Sequence, residues 1–215
     1  METVSIIAAA MGVAWASGIN LYAAMLMLGL MGNFGHIELP TDLQVLQNPL
    51  VLVAAGIMYC VEFFADKVPG LDTGWDAVHS FIRIPAGAML AAATLGQISP
   101  EAELAGLLLG GSLAAGTHFT KAGSRVLINT SPEPVTNWTA SLGEDLVVIA
   151  GLWTALNHPI LFLVLLLAFI ALMIWLAPKI WRGIMRVVGT LRGWLRGPDG
   201  NRASPRSESL PEHKS

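Results

Sequence analysis

The placement of the twelve Lys and Arg residues among the apolar segments constrains this chain more than any other feature. Apolar stretches fall near residues 4–31, 49–65, 82–97, 102–120, 138–156 and 159–177. The connections at 32–48, 98–101 and 157–158 carry no Lys or Arg. The alternate connections carry Lys67 and Arg83, then Lys121 and Arg125, and the other eight basic residues follow the last segment. Basic residues near the ends of spanning helices are retained on the cytoplasmic side, so the alternation predicts about six transmembrane helices with both termini inside. Composition agrees, with 54% of the 215 residues hydrophobic and 13% charged, where a soluble domain carries about a quarter charged. Several segments reach the ~20 residues that cross a hydrocarbon core about 30 Å thick. The predicted class is all-α, a polytopic membrane protein. Its third segment is the weakest: the strongly apolar part, 84–95, is short and includes Pro85, so it either recruits 75–83 as an extension or crosses only in part.

Polar residues inside such a chain carry the information about function. Helix 1 is interrupted at Gly18-Ile19-Asn20, followed by Tyr22. An unpaired amide near the bilayer centre is costly, so Asn20 is expected to bond a neighbouring helix or to line a polar cavity at a broken helix. Asn48 before Pro49 reads as a cap followed by a proline at the first helical position, and Ser99-Pro100-Glu101 opens helix 4 with proline again in that place. Asp72 reads as the cap of a helix carrying Trp75, Asp76, His79 and Arg83. Helix 4 has a surface of small residues, Gly106, Gly110, Gly111, Ala114, Ala115 and Gly116, suited to close helix contact.

Two constellations of ionisable residues follow. The first is Glu62, Asp66, Lys67, Asp72, Asp76, His79 and Arg83. Glu62 and Asp66 are four apart and project from one helix face. They read as oxygen ligands or proton carriers, or else the cluster is an ion-paired cap in which Asp66 and Asp72 face Lys67 and Arg83. The second is His118, Lys121, Arg125, Asn129, Glu133, Asn137, Ser141, Glu144 and Asp145. Lys121 and Arg125 could hold these acids or an anionic substrate, or form a neutralising network between two halves of the protein. Glu144 and Asp145 are adjacent, so only one is expected to face a given pore. Helix 2 with helix 3 and helix 4 with helix 5 are alike in part, each with an aromatic before a lysine (Phe64 and Lys67, Phe119 and Lys121) and a later glycine (Gly87, Gly143), which would make a parallel repeat of two hairpins.

Residues 178–197 divide cleanly on a helical wheel. Lys179, Arg182, Arg186, Arg192 and Arg196 lie opposite Ile180, Trp181, Ile184, Val187, Val188, Leu191, Trp194 and Leu195. This predicts an amphipathic helix on anionic inner-leaflet lipids. Residues 198–215 are rich in Pro, Ser and charge and are expected to be a disordered cytoplasmic tail. The domains are thus a transmembrane unit, 1–177, the basic helix, 178–197, and the tail. The N-terminus lacks a basic n-region, so the first segment reads as a retained span. The net charge of −3 averages a basic end and a slightly acidic body, with no sign of nucleic-acid binding. Cys60 is the only cysteine, which excludes an internal disulfide. Nucleophile-elbow, zincin, phosphate-loop and dinucleotide motifs are absent; an enzyme is the least favoured class and no cofactor is expected. Metal binding is left open, with zinc disfavoured by one cysteine and scattered histidines.

The runs Ser17-Gly18-Ile19-Asn20-Leu21-Tyr22, Glu62-Phe63-Phe64-Ala65-Asp66-Lys67-Val68-Pro69, Asp72-Thr73-Gly74-Trp75-Asp76-Ala77-Val78-His79 and Ile82-Arg83-Ile84-Pro85-Ala86-Gly87-Ala88 resemble a bacterial integral-membrane family. So do Thr120-Lys121-Ala122, Asn129-Thr130-Ser131-Pro132-Glu133-Pro134 and Ser141-Leu142-Gly143-Glu144-Asp145. The family is catalogued as domain of unknown function 4126. The resemblance spans about residues 5–175 and departs at Ile84, where Arg directly before Pro is expected. It implies an integral membrane protein and no established activity; the bacterial inner membrane, with both termini cytoplasmic, is the expected location. Two functions stay open: a small transporter or channel for an ion or small polar solute, with a charged cavity open to the cytoplasm, and a membrane scaffold or assembly factor. Transporters of this size often work as homodimers, although no residue here specifies one.

Overall fold

A computed structural model describes residues 2–68, 70–130 and 134–195. The expected tail and the turn at 131–133, with Glu133, lie outside the described residues. The helices are α1 (Glu2–Asn33), a short 3-10 helix (Thr41–Gln47), α2 (Pro49–Ala65), α3 (Leu71–Leu95), α4 (Pro100–Ile128), α5 (Pro134–Asn157) and α6 (Pro159–Leu195). α1, α3, α5 and α6 are each long and apolar enough to cross a membrane. The 3-10 helix and α2, bent by 68° at their junction, make a fifth span if taken together. The protein is a multi-pass helical membrane protein.

α1 is the central helix. It is apolar on all sides, as a helix surrounded by protein must be, and it touches α2, α3, α4, α5 and α6. Small residues let α1, α3 and α4 approach closely. A side chain on Gly18 would run into the carbonyl of Ala114 and the side chain of Thr117 on α4. Gly87 of α3 is wedged against Ala114 and Ser17 in the same way. Gly143, which the sequence pairs with Gly87, faces open space. The outer helices show lipid an apolar face, including Leu165, Leu167, Leu172 and Trp175 of α6, all exposed.

Local signals fix several boundaries. The Asn48 side chain accepts from Leu50 N–H at 2.9 Å and Pro49 opens α2; the Ser99 hydroxyl accepts from Ala102 N–H at 3.2 Å and Pro100 opens α4. α3 runs without a break from Leu71, with Pro85 inside it, so 75–83 is part of one 25-residue helix. It starts a residue before Asp72, because Gly70 takes φ +86° and turns the chain directly into the helix. Asp72 therefore lies within the first turn and does not cap it in the expected way. Residues 178–195 continue α6, with Pro178 inside the helix. Ile180 and Gly183 of this stretch face Gly123 and Leu127 of α4, while Arg182 and Arg186 are exposed. Part of the expected apolar side thus rests on α4, while Trp181 of the same side is exposed; residues 196–197 and the side chains of 191–195 lie outside the described residues.

Candidate functional site

The two expected constellations form one buried network. Glu62, Asp72, Asp76, Arg83, His118 and Arg125 have no accessible surface; Asp66, Lys67, Lys121 and Asp145 are buried and Glu144 is half-buried. The helix-face spacing of Glu62 and Asp66 aims both at α4, and the break in α1 supplies the wall opposite.

Arg83 of α3 is held by two carboxylates. Its Nη2 lies 2.7 Å from Glu62 Oε1, and its Nη1 donates to Asp76 Oδ1 at 2.7 Å. Lys121 of α4 donates to Asp66 Oδ2 at 2.9 Å and to the Ile19 carbonyl at 3.0 Å. Arg125, one turn further on, forms a bidentate pair with Glu144: Nη2 to Oε2 at 2.6 Å and Nε to Oε1 at 3.2 Å. Its Nη1 also donates to the Asp66 carbonyl at 3.2 Å and to the Asn137 side chain. A planar guanidinium presents this fork of donors, which lysine does not. The pairing differs from an Asp66 and Asp72 cap over Lys67 and Arg83, because helix packing sets long-range partners that spacing does not show.

Asn20 bonds a neighbouring helix, as expected, and stands at a break in α1. Its backbone is non-helical, φ −146° and ψ 96°, inside α1. Its amide donates to Asp145 Oδ1 at 2.9 Å, and its own Oδ1 accepts from Ala23 N–H at 2.9 Å, capping the second half of α1. Glu144 and Asp145 face different partners, Arg125 and Asn20, which approach α5 from two directions. Asp145 has no basic side chain within ion-pair distance among the described residues. Lys67 is directed elsewhere: it donates to the Phe63 carbonyl at 3.0 Å, sits 2.9 Å from the Phe63 ring centroid and reaches Ser141 Oγ at 3.5 Å, one turn before Asp145. Burial pushes the Lys67 ammonium below the usual lysine range, against the pull of Asp145 and Asp66.

The histidines and Asp72 flank the network. His79 Nδ1 meets the Trp75 carbonyl at 2.9 Å, and its Nε2 meets Tyr22 Oη at 3.2 Å, with the ring stacked on Trp75. A carbonyl only accepts, so Nδ1 carries a proton, and in the neutral ring Tyr22 donates to Nε2. Asp76 is engaged by Arg83, so it does not orient His79 as a catalytic base. His118 Nδ1 lies 3.5 Å from Arg83 Nη1, and its Nε2 lies 2.6 Å from Ser80 Oγ, which donates on to the Asp76 carbonyl at 3.0 Å. Asp72 Oδ1 accepts from Asn129 Nδ2 at 2.7 Å and from Gly70 N–H at 2.9 Å. Ser80, Tyr22 and the Ile19 carbonyl are the members that motif reasoning missed. Ser80 stands four residues after Asp76, so its place on that helix face was readable.

The polar side chains pack against one another. The large cavity found beside them, about 680 Å³ between α3, α4 and α6, is apolar, with Ala77, Gly116, Phe119 and Met173 on its walls and Ser80 at its inner edge.

Fold and site together define a polytopic helical membrane protein built around a buried charged network. The chain belongs to the family described as Domain of unknown function (DUF4126), whose model matches residues 7–179. No curated protein and no solved structure matches it.

Proposed function

We propose that this protein is a small transporter or channel for an ion or small polar solute, with the buried network as its site. One observation carries the reading. Among the described residues, the carboxylates Glu62, Asp66, Asp72, Asp76, Glu144 and Asp145 gather around only four cationic groups, Lys67, Arg83, Lys121 and Arg125. Ionisable side chains inside a membrane are expensive, and those that occur there mark ion pathways and substrate sites. A neutralising cap would balance its charges. This cluster keeps a formal excess of two carboxylates, and a scaffold has no need of them. The broken helix beside it is a second transporter feature.

In this reading α4 is the sixth span and both termini are cytoplasmic in a bacterial inner membrane. The basic face of 178–197 lies on anionic inner-leaflet lipid, followed by the tail, and two copies form the working unit. The parallel repeat rests on the matched aromatic and lysine pairs, Phe64 with Lys67 and Phe119 with Lys121. Its glycines do not correspond, as Gly87 is packed and Gly143 is free.

A thermal-unfolding screen of the purified protein against ions and small metabolites tests the reading, beside Glu62→Gln and Asp66→Asn. A ligand of the folded state at a hundred times its dissociation constant stabilises by about 2.7 kcal/mol. The expected result is a saturable shift that both variants lose. Variants that fold and respond as the wild type does would make the carboxylates structural and favour the scaffold.

A further inference from the structure

Lys121 sits in a cage with more acceptors than an ammonium can use. Around its Nζ lie Asp66 Oδ2 at 2.9 Å, the Ile19 carbonyl at 3.0 Å, Glu62 Oε1 and Glu144 Oε2 at 3.6 Å, and Asp76 Oδ1 at 3.8 Å. These oxygens come from α1, α2 and the turn after it, α3 and α5. An ammonium has three N–H donors. Three carboxylates of the cage, although buried, each keep a second oxygen with no hydrogen-bond partner: Asp66 Oδ1, Glu62 Oε2 and Asp76 Oδ2.

The carbonyl is present for a local reason. In an unbroken helix the Ile19 C=O would accept from the Ala23 N–H. Here the Asn20 side chain takes that N–H, and the extended backbone at Asn20 leaves the Ile19 oxygen to face Lys121. Carbonyls released at broken membrane helices coordinate small cations in transporters. The ring of hard oxygens, the released carbonyl and the surplus of negative charge all suit a dehydrated cation carrying the single charge that the lysine now supplies.

Resting on the transport reading above, the geometry points to a small monovalent cation, alkali or ammonium, as the cargo of this site, with the Lys121 ammonium as its tethered competitor. Cargo enters as the lysine withdraws, and the lysine returns as cargo leaves. The carboxylates therefore never face one another without a cation between them.

The test is thermal unfolding of the full-length protein at constant ionic strength in sodium, potassium, ammonium or choline chloride. Lys121→Met keeps the length of the side chain and removes its charge. It should be stabilised saturably by at least one of the three small cations and not by choline. Half-saturation should fall at least tenfold below that of the wild type, where the lysine competes. Lys121→Arg, with a charge that stays, should respond no more than the wild type. The inference is overturned if Lys121→Met responds to choline as to the small ions, or half-saturates where the wild type does. It is equally overturned if that variant fails to fold in all four salts, since a cation from solution should replace the missing ammonium. The transport reading fails by a different signal, the absence of any flux through the wild-type protein.

Discussion

Arg83→Gln should abolish most of the folded protein, with a stability loss of about 3–5 kcal/mol, the range for removing one partner of a buried ion pair. Arg83 has no accessible surface, and it is the shared partner of Glu62 and Asp76 at 2.7 Å each. It also stands 3.5 Å from His118 and thereby reaches the Ser80 hydroxyl. Glutamine is too short to span both acids, so two carboxylates would be left charged and undersolvated. Glu62→Gln should be far milder. The network has a surplus of acids, and the amide oxygen can still accept from Arg83, so the loss should be about 1 kcal/mol, that of one ordinary hydrogen bond. Denaturant unfolding in detergent, with the yield from membranes, checks the contrast. Equal losses for the two variants would mean that Glu62 and Arg83 act only as an inseparable pair and that the acid surplus is not available.

The second large effect is steric. Gly18→Leu should cost about 3 kcal/mol, the upper part of the usual range for overpacking. The new Cβ would collide with the Ala114 carbonyl and with Thr117, and a backbone atom cannot swing aside as a long side chain can. Moving α1 off α4 would also withdraw the Ile19 carbonyl from Lys121, one residue away in the chain. Gly143→Ala is the control, since nothing lies within 4 Å of the new methyl group. It should be neutral or stabilise by about 0.5–1 kcal/mol, the helix preference for alanine over glycine. Thermal unfolding of both variants separates a specific contact at Gly18 from a general intolerance of larger residues in these helices.

The sequence disclosed those features that have local causes. The cap at Asn48, the proline openings of α2 and α4 and the interruption at Asn20 are each written in a few neighbouring residues, and each is present. The apolar segments likewise carried the membrane class. Pairing inside the site was not legible, because it depends on which helices meet. Lys121 and Asp66 are 55 residues apart and touch because α2 and α4 flank α1. The separate partners of Glu144 and Asp145 have the same origin: a periodic wheel shows the angle between them, while Arg125 and Asn20 arrive from elsewhere. The last apolar segment and the basic stretch read as separate because their compositions differ, yet the helix runs through both. The role of the Ile19 carbonyl has no side-chain signature, so only the backbone geometry reveals it.

Flux through reconstituted liposomes tests the central claim most directly, with wild type, Glu62→Gln and protein-free vesicles compared for small ions and polar solutes. The account predicts that the wild-type protein carries at least one of them well above the protein-free rate, and that Glu62→Gln, folded and inserted to the same level, loses that flux. Wild-type rates equal to those of protein-free vesicles, or undiminished flux through Glu62→Gln, would contradict it.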